Sequence, residues 1–147
     1  MRLTSSAFEH QGEIPHKYTC DGGDVIPPLQ ISEVPEGARS LVLIMDDPDA
    51  PIEGSFVHWV GWNISPDTTE ITEGEAPAGV EGSNNFGRIG YGGPCPPSGQ
   101  HRYVFKLYAL NKELDLAEGV EKADVEASIE GSVIDSATLM GLYSREE

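Results

Sequence analysis

Two short segments concentrate the side chains able to do chemistry. Asp47-Pro48-Asp49-Ala50-Pro51 is followed closely by His58-Trp59, and Gly90-Tyr91-Gly92-Gly93-Pro94-Cys95-Pro96-Pro97 by His101-Arg102-Tyr103. Together they supply two carboxylates, two imidazoles and a phenol on a rigid Pro/Gly rim. An imidazole N–H and a phenolic hydroxyl can both donate to an oxyanion. A carboxylate such as Asp47 beside an imidazole favours the charged ring, which strengthens that bond. Gly92 and Gly93 let backbone N–H groups come close to a ligand without a side chain in the way. The inventory suits a small preformed anion pocket in which the carboxylates orient and charge the histidines.

Enzymatic readings use the same residues. Asp47, His58 and His101 could hold a transition metal through two imidazoles and one carboxylate. Alternatively, His58 and Asp47 form a base and its orienting group, awaiting a nucleophile. Against these, the chain has no Gly-x-Ser-x-Gly elbow, its nearest loop hydroxyl is Ser98, and the ligand spacing follows no stereotyped metal motif. The residues therefore point to binding without catalysis and without a tightly held cofactor.

Strands must position these groups. Leu41 to Met45 is a fully apolar run, too short for a helix and stopped by Asp46-Asp47-Pro48. Phe56 to Ile64 and Arg102 to Leu110 read as two more strands, each apolar on both faces for part of its length. The two-residue period puts His101 and Tyr103 on a face with Phe105 and Leu107, and Arg102 and Lys106 on the other. It also puts His58 with Phe56, Val60 and Trp62. Trp59 and Trp62 read as core, and His10 and His16 as surface. Ile31 opens a loop-rich region, and Asp67 to Val80 is a turn-rich acidic connection. One short helix has Asp124 as its cap, Val125 and Ile129 on one face, and Gly131 as its stop. A final strand of weak register follows from Val133. Scattered Gly and Pro between short apolar runs complete an all-β pattern, a β-sandwich with one or two short accessory helices.

The 147 residues fit a single domain, 1–147, long enough for a real core. Acidic residues number 25 against 9 basic, a net charge of −16 that disfavours nucleic acid and anionic membrane partners. High salt screens the self-repulsion of so acidic a surface, so the composition suits a halophilic, saline cytoplasm. No run approaches the ~20 apolar residues of a membrane span, and the start lacks a secretory h-region, so a cytoplasmic protein without stable membrane insertion is expected. The two cysteines, Cys20 and Cys95, are too few for a disulfide scaffold. In a reducing cytosol they read as ordinary small apolar residues. Whether they are neighbours in space stays open. A homodimer through exposed strand surface is expected on general grounds.

The two segments, read with their surroundings, resemble the phosphatidylethanolamine-binding proteins, the family of the Raf kinase inhibitor protein, and in particular its bacterial and archaeal branch. Members carry an apolar strand, then Asp-Pro-Asp-Ala-Pro, then a His on the next strand, and a Gly/Pro loop before His-Arg-Tyr. Tyr18-Thr19-Cys20-Asp21-Gly22 with Pro27-Pro28-Leu29, and Thr138 to Tyr143, are similar to the family's two ends. The resemblance implies an antiparallel Greek-key β-sandwich. It implies a site for phosphate or a phospholipid head group, such as phosphoethanolamine, built from Asp47, His58, Gly93, Pro94, Cys95, Pro96, His101 and Tyr103. Asp49 and Pro51 would shape the wall, with a cis Ala50–Pro51 bond. Inhibition of a kinase or protease is a further role implied for some members, with no docking feature visible here. Asp24 and Ile26 depart from the residues usual at their positions.

Overall fold

The computed structural model describes residues 1–145. In chain order the elements are β1 (Arg2–Thr4), β2 (Gly12–Glu13), a 3-10 turn (His16–Tyr18), β3 (Leu29–Ser32), β4 (Ser40–Asp47), β5 (Phe56–Ile64), β6 (Glu70–Ile71), β7 (Val80–Glu81), β8 (Gln100–Leu110), α1 (Lys122–Ile129) and β9 (Val133–Ser144). The fold is mostly β with one α-helix, in two sheets. A three-stranded sheet runs β1-β3-β6 and a six-stranded sheet runs β2-β9-β8-β4-β5-β7. The larger sheet is mixed, not antiparallel throughout as expected. Gly12 and Glu13 of β2 run parallel to Gly141 and Leu142 of β9.

Strand β4 explains why both faces are covered. All eight of its residues are buried. Leu41, Leu43 and Met45 face the core between the two sheets, with Leu29, Ile31, Ile71, Trp59, Phe105 and Leu107. Val42 and Ile44 face the opposite side, where Val60, Trp62 and Leu110 pack against Val125 and Ile129 of α1. Each fully buried aliphatic side chain contributes roughly 1.5–3 kcal/mol, so the two cores together anchor the central strands. The sequence boundaries expected for β4, β5 and β8 agree closely with the observed ones.

Several expectations are corrected. Ile31 lies inside β3, paired with Leu3. Glu121, not Asp124, precedes the first helical residue, and the Glu121 N–H donates to Asp124 Oδ2 at 3.0 Å. Asp124 thus closes the helix start from its third position, as in a capping box. Gly131 follows the helix with φ +77°, the left-handed conformation that favours glycine there. The acidic connection holds two short strands, β6 and β7. Ala50–Pro51 is trans, like every other peptide bond among the described residues.

Cys20 and Cys95 are joined in a disulfide, with Cα atoms 5.4 Å apart. The reading of two separate thiols is therefore overturned. The Cys20 N–H donates to the Pro94 carbonyl at 3.0 Å, which lays the segment after the 3-10 turn against the Gly/Pro loop. Backbone pairing between distant segments brings the sulfurs together, and no spacing along the chain reports that.

Candidate functional site

A cavity of about 260 Å³ opens where β4, β5 and β8 meet the two motif loops. Its wall is formed by Asp47, Ala50, Pro51, Ile52, Phe56, His58, Phe86, Cys95, Pro97 and Tyr103. Aromatic and proline surfaces make most of it apolar. Ile52 and Phe86, 50% and 38% exposed, stand at its mouth. The polar groups converge at the inner end.

Backbone irregularity decides how His58 gets there. Met45 sits opposite Trp59 and Asp46 opposite Val57, so His58 is the extra residue of a β-bulge. A bulge breaks the two-residue alternation and re-aims a side chain. His58 therefore shares Phe56's side, with ring centroids 5.0 Å apart, but not the side of Val60 and Trp62, which pack toward α1. A second irregularity near Asn63, which has φ +54°, restores the apolar faces further along. The period-2 expectation for β5 fails for this reason. On β8 it holds: His101, Tyr103, Phe105 and Leu107 are all buried on one face.

The His58 Nδ1 lies 2.7 Å from the Gly92 carbonyl oxygen. A carbonyl only accepts, so Nδ1 carries the proton and Nε2 keeps a lone pair. The ring is packed edge-on against Tyr103 and Phe86, with centroids 5.2 and 5.4 Å away. Burial pushes the His58 pKa below its ordinary value, against the pull of the Gly92 carbonyl and the Asp47 charge. The expectation that Asp47 charges this imidazole is reversed by desolvation, which penalises the ionised form.

Asp47 works instead on His101. Its Oδ2 accepts from His101 Nδ1 at 2.6 Å, and its Oδ1 accepts from the Asp49 N–H at 2.8 Å. Both oxygens are thereby engaged. His101 stands behind the carboxylate rather than in the cavity wall. Asp49 turns away from the cavity altogether. It accepts from the Arg102 backbone N–H at 2.8 Å and takes the guanidinium at 3.0 and 2.8 Å. Those bonds hold its carboxyl down at about 2. The residue clips the 47–55 loop onto the start of β8.

Tyr103 is fully buried, and its hydroxyl has no hydrogen-bond partner. Burial raises its pKa far above the ordinary phenol value, and the Asp47 charge raises it further; the Cys95 amide beside the oxygen opposes this weakly. The phenol is therefore a neutral O–H donor without an acceptor, on a residue that forms part of the cavity wall.

The glycine loop supplies structure rather than free donors. The Gly92 N–H donates to the His58 carbonyl at 2.9 Å and the Gly93 N–H to Asp24 Oδ1 at 2.8 Å. A Cβ at Gly93 would collide with the Tyr18 carbonyl and with Asp24, so only glycine fits that crossing. Gly93, Pro94 and Pro96 support the wall from behind, and Cys95, with Pro97, forms part of it. Arg88 lies 3.9 Å from Asp24 and over the Phe86 ring at 5.5 Å. Tyr91 donates to the Tyr18 carbonyl at 2.7 Å and, half-buried, packs against the core.

Sequence reasoning missed Ala50, Ile52, Phe56 and Phe86. Phe56 and Phe86 touch, with centroids 4.8 Å apart, although they come from separate segments. Phe86 follows an Asn84-centred turn, whose Oδ1 accepts from the Phe86 and Arg88 N–H groups at 2.9 and 3.2 Å. The Asn84-Asn85-Phe86-Gly87 run is the one local signal that could have shown an aromatic held out on a tight turn. Among the described residues no three His, Cys, Asp or Glu side chains come together as a metal site. Ser98 is exposed on the loop before β8. Among the described residues no helix is long and apolar enough to cross a membrane.

Comparison with known proteins places the fold and these loops among relatives. The chain is 50% identical over 151 residues to a UPF0098 protein of Methanothermobacter thermautotrophicus, covering 99% of both chains. Its structure superposes on a putative phosphatidylethanolamine-binding protein homolog from Chlamydia trachomatis with a TM-score of 0.95 at 44% identity, covering 99% of this chain and 97% of that one. It superposes on Escherichia coli YbcL, described as a member of the mammalian family, with a TM-score of 0.91 at 30% identity, covering 99% and 98%. The phosphatidylethanolamine-binding protein family model matches residues 4–144, nearly the whole described chain. The chain belongs to the phosphatidylethanolamine-binding protein family.

Proposed function

We propose that the protein binds small ligands bearing an oxyanion group, such as phosphate or a phosphorylated head group, in the cavity between the motif loops. One observation carries this reading: Tyr103, whose fully buried hydroxyl has no partner, forms part of the cavity wall. A buried donor left unpaired costs roughly 1–3 kcal/mol, and a ligand oxygen would remove that cost. Asp47 is a tolerable neighbour for an anion because both its oxygens already accept from the protein. Phe56, Phe86, Pro51 and Pro97 would cover an apolar segment attached to the head group. The net charge of −16 opposes anion capture from a distance, so capture is slow and weak at low salt and improves when salt screens the field.

Isothermal titration with inorganic phosphate tests the reading. Saturable binding is expected, stronger in molar KCl than in dilute buffer. A hydrogen bond to a charged group contributes roughly 1.5–3 kcal/mol, so Tyr103→Phe should weaken binding at least tenfold. His101→Ala, which frees Asp47 Oδ2 to repel the ligand, should weaken it too. Undiminished binding in both variants would remove the site from this cavity.

A further inference from the structure

We infer that the Cys20–Cys95 disulfide is a reversible redox latch on the cavity wall: a dithiol reductant opens it in the folded protein, which loosens the Gly/Pro loop, and oxidation closes it again in the same place. The latch is independent of what the cavity binds.

Gly92, Gly93, Pro94 and Pro96 are buried, whereas Cys95 among them is only half-buried, as is its partner Cys20 on the facing segment. Cys95 also borders the cavity of about 260 Å³, which gives a small dithiol room to approach. Thiol–disulfide exchange needs such access to a sulfur. The reductant's thiolate attacks one sulfur, the protein S–S bond breaks, and the departing sulfur takes up a proton. The reductant's second thiol then displaces the remaining cysteine, which is protonated in turn. Two electrons pass to the protein, and the reductant leaves as its own disulfide.

The two segments stay joined without the sulfur bond. The Cys20 N–H donates to the Pro94 carbonyl at 3.0 Å, the Gly93 N–H to Asp24 Oδ1 at 2.8 Å, and the Tyr91 hydroxyl to the Tyr18 carbonyl at 2.7 Å. Each segment is also anchored by itself. The carbonyl of fully buried Thr19 accepts from the Gly22 and Asp24 N–H groups at 3.1 Å each, and the Gly92 N–H donates to the His58 carbonyl at 2.9 Å. The reduced thiols therefore remain side by side, and closure is an intramolecular step at high effective concentration. The chain has only these two cysteines, so reclosure within one chain has one product.

Reduction changes the loop locally. Two sulfurs no longer bonded must move apart to contact distance. The Thr19 turn holds Cys20 in place, while Cys95 has the cavity beside it, so the displacement falls on the Cys95 wall. Pro94 and Pro96, on either side of Cys95, carry no N–H with which to anchor it again.

The experiment treats the folded full chain with dithiothreitol, then counts accessible thiols by iodoacetamide labelling and mass spectrometry. Circular dichroism and NMR relaxation follow the reduced, unlabelled protein in parallel. Two labels per chain are expected with an unchanged dichroism spectrum. Backbone order parameters at Gly93 and Cys95 should fall from about 0.85 toward about 0.6, with those of α1 unchanged. Exchange into oxidised glutathione should return a monomeric, label-resistant chain with its original order parameters. Asp24→Ala, which removes the Gly93 bond, should slow reclosure at least threefold. Tyr91→Phe, which removes the bond to Tyr18, should do the same and serves where Asp24→Ala does not fold. Absence of labelling in the folded chain means a sealed disulfide and overturns the latch. Labelling accompanied by loss of the dichroism spectrum makes the bond a structural staple and overturns it too. Unchanged order parameters on reduction, linked dimers on oxidation, or wild-type reclosure rates in the folded variants each overturn it as well.

Discussion

Asp46 and Asp47 are neighbours on one strand, both nearly fully buried, and they face opposite sides of the six-stranded sheet. On the α1 side, Asp46 Oδ2 meets Lys122 at 2.8 Å and Lys106 at 3.4 Å, and accepts from Ser55 at 3.1 Å. Burial works to raise its pKa, and the lysines and Ser55 outweigh it, so it is held below the ordinary value. On the cavity side, Asp47 has His101 and a backbone amide but no Lys or Arg, while Tyr103 nearby lacks any partner. One cluster is closed, charged and internally paired. The other keeps a donor and an acceptor unmatched beside an open space. Satisfied polar networks specify structure, whereas unmatched buried groups cost stability and mark places where something else can bind.

The largest test of this contrast is the disulfide, which belongs to the cavity side through Cys95. Closing a loop of 75 residues contributes about 4 kcal/mol in the chain-entropy picture. Cys20→Ser with Cys95→Ser should lower stability by about that much in urea unfolding. It should also weaken phosphate binding, since Cys95 forms part of the wall. Full stability in the double variant would show that the pairing of Cys20 N–H with Pro94 holds the loop by itself.

Next comes Asp46→Ala. Loss of its charged hydrogen bonds should cost about 2–3 kcal/mol by the same measurement, with phosphate affinity unchanged. A large loss of binding would mean that the two sides of the sheet are not independent.

Tyr103→Phe should act with the opposite sign. Removing a buried hydroxyl that has no partner should stabilise the ligand-free protein by about 1 kcal/mol, while binding falls. Destabilisation would show that the hydroxyl is already satisfied in solution.

The smallest effect is pH dependence. The folded pKa of His58 lies below its unfolded value of about 6.5. The unfolded chain therefore binds the extra proton first, and stability is full above pH ~6.5 and declines as pH falls toward the folded pKa. His58→Gln should flatten that limb. A separate decline below pH ~4 belongs to Asp46 and Asp49, whose lowered pKa values contribute stability that disappears as they are protonated. Unfolding free energy measured from pH 3 to 8 should show both limbs in the wild type and only the lower one in His58→Gln.

Much of this protein was determined by its sequence alone. The runs Leu41–Met45, Phe56–Ile64 and Arg102–Leu110 are apolar enough on both faces to be central strands in any packing. Regular alternation on β8 was enough to put His101 and Tyr103 on one face. The motif residues were also enough to place the chain in its family. Tertiary structure decided the rest. The β5 bulge turned His58 toward Tyr103, because strand register depends on the partner as well as on the strand. Loop pairing joined Cys20 to Cys95 and occupied the Gly92 and Gly93 amides. Burial made His58 an acceptor rather than a cation. Hydrogen-bond partners and desolvation come from segments far apart in the chain, so residue types and spacing named the groups at the site but could not say which of their donors remain free.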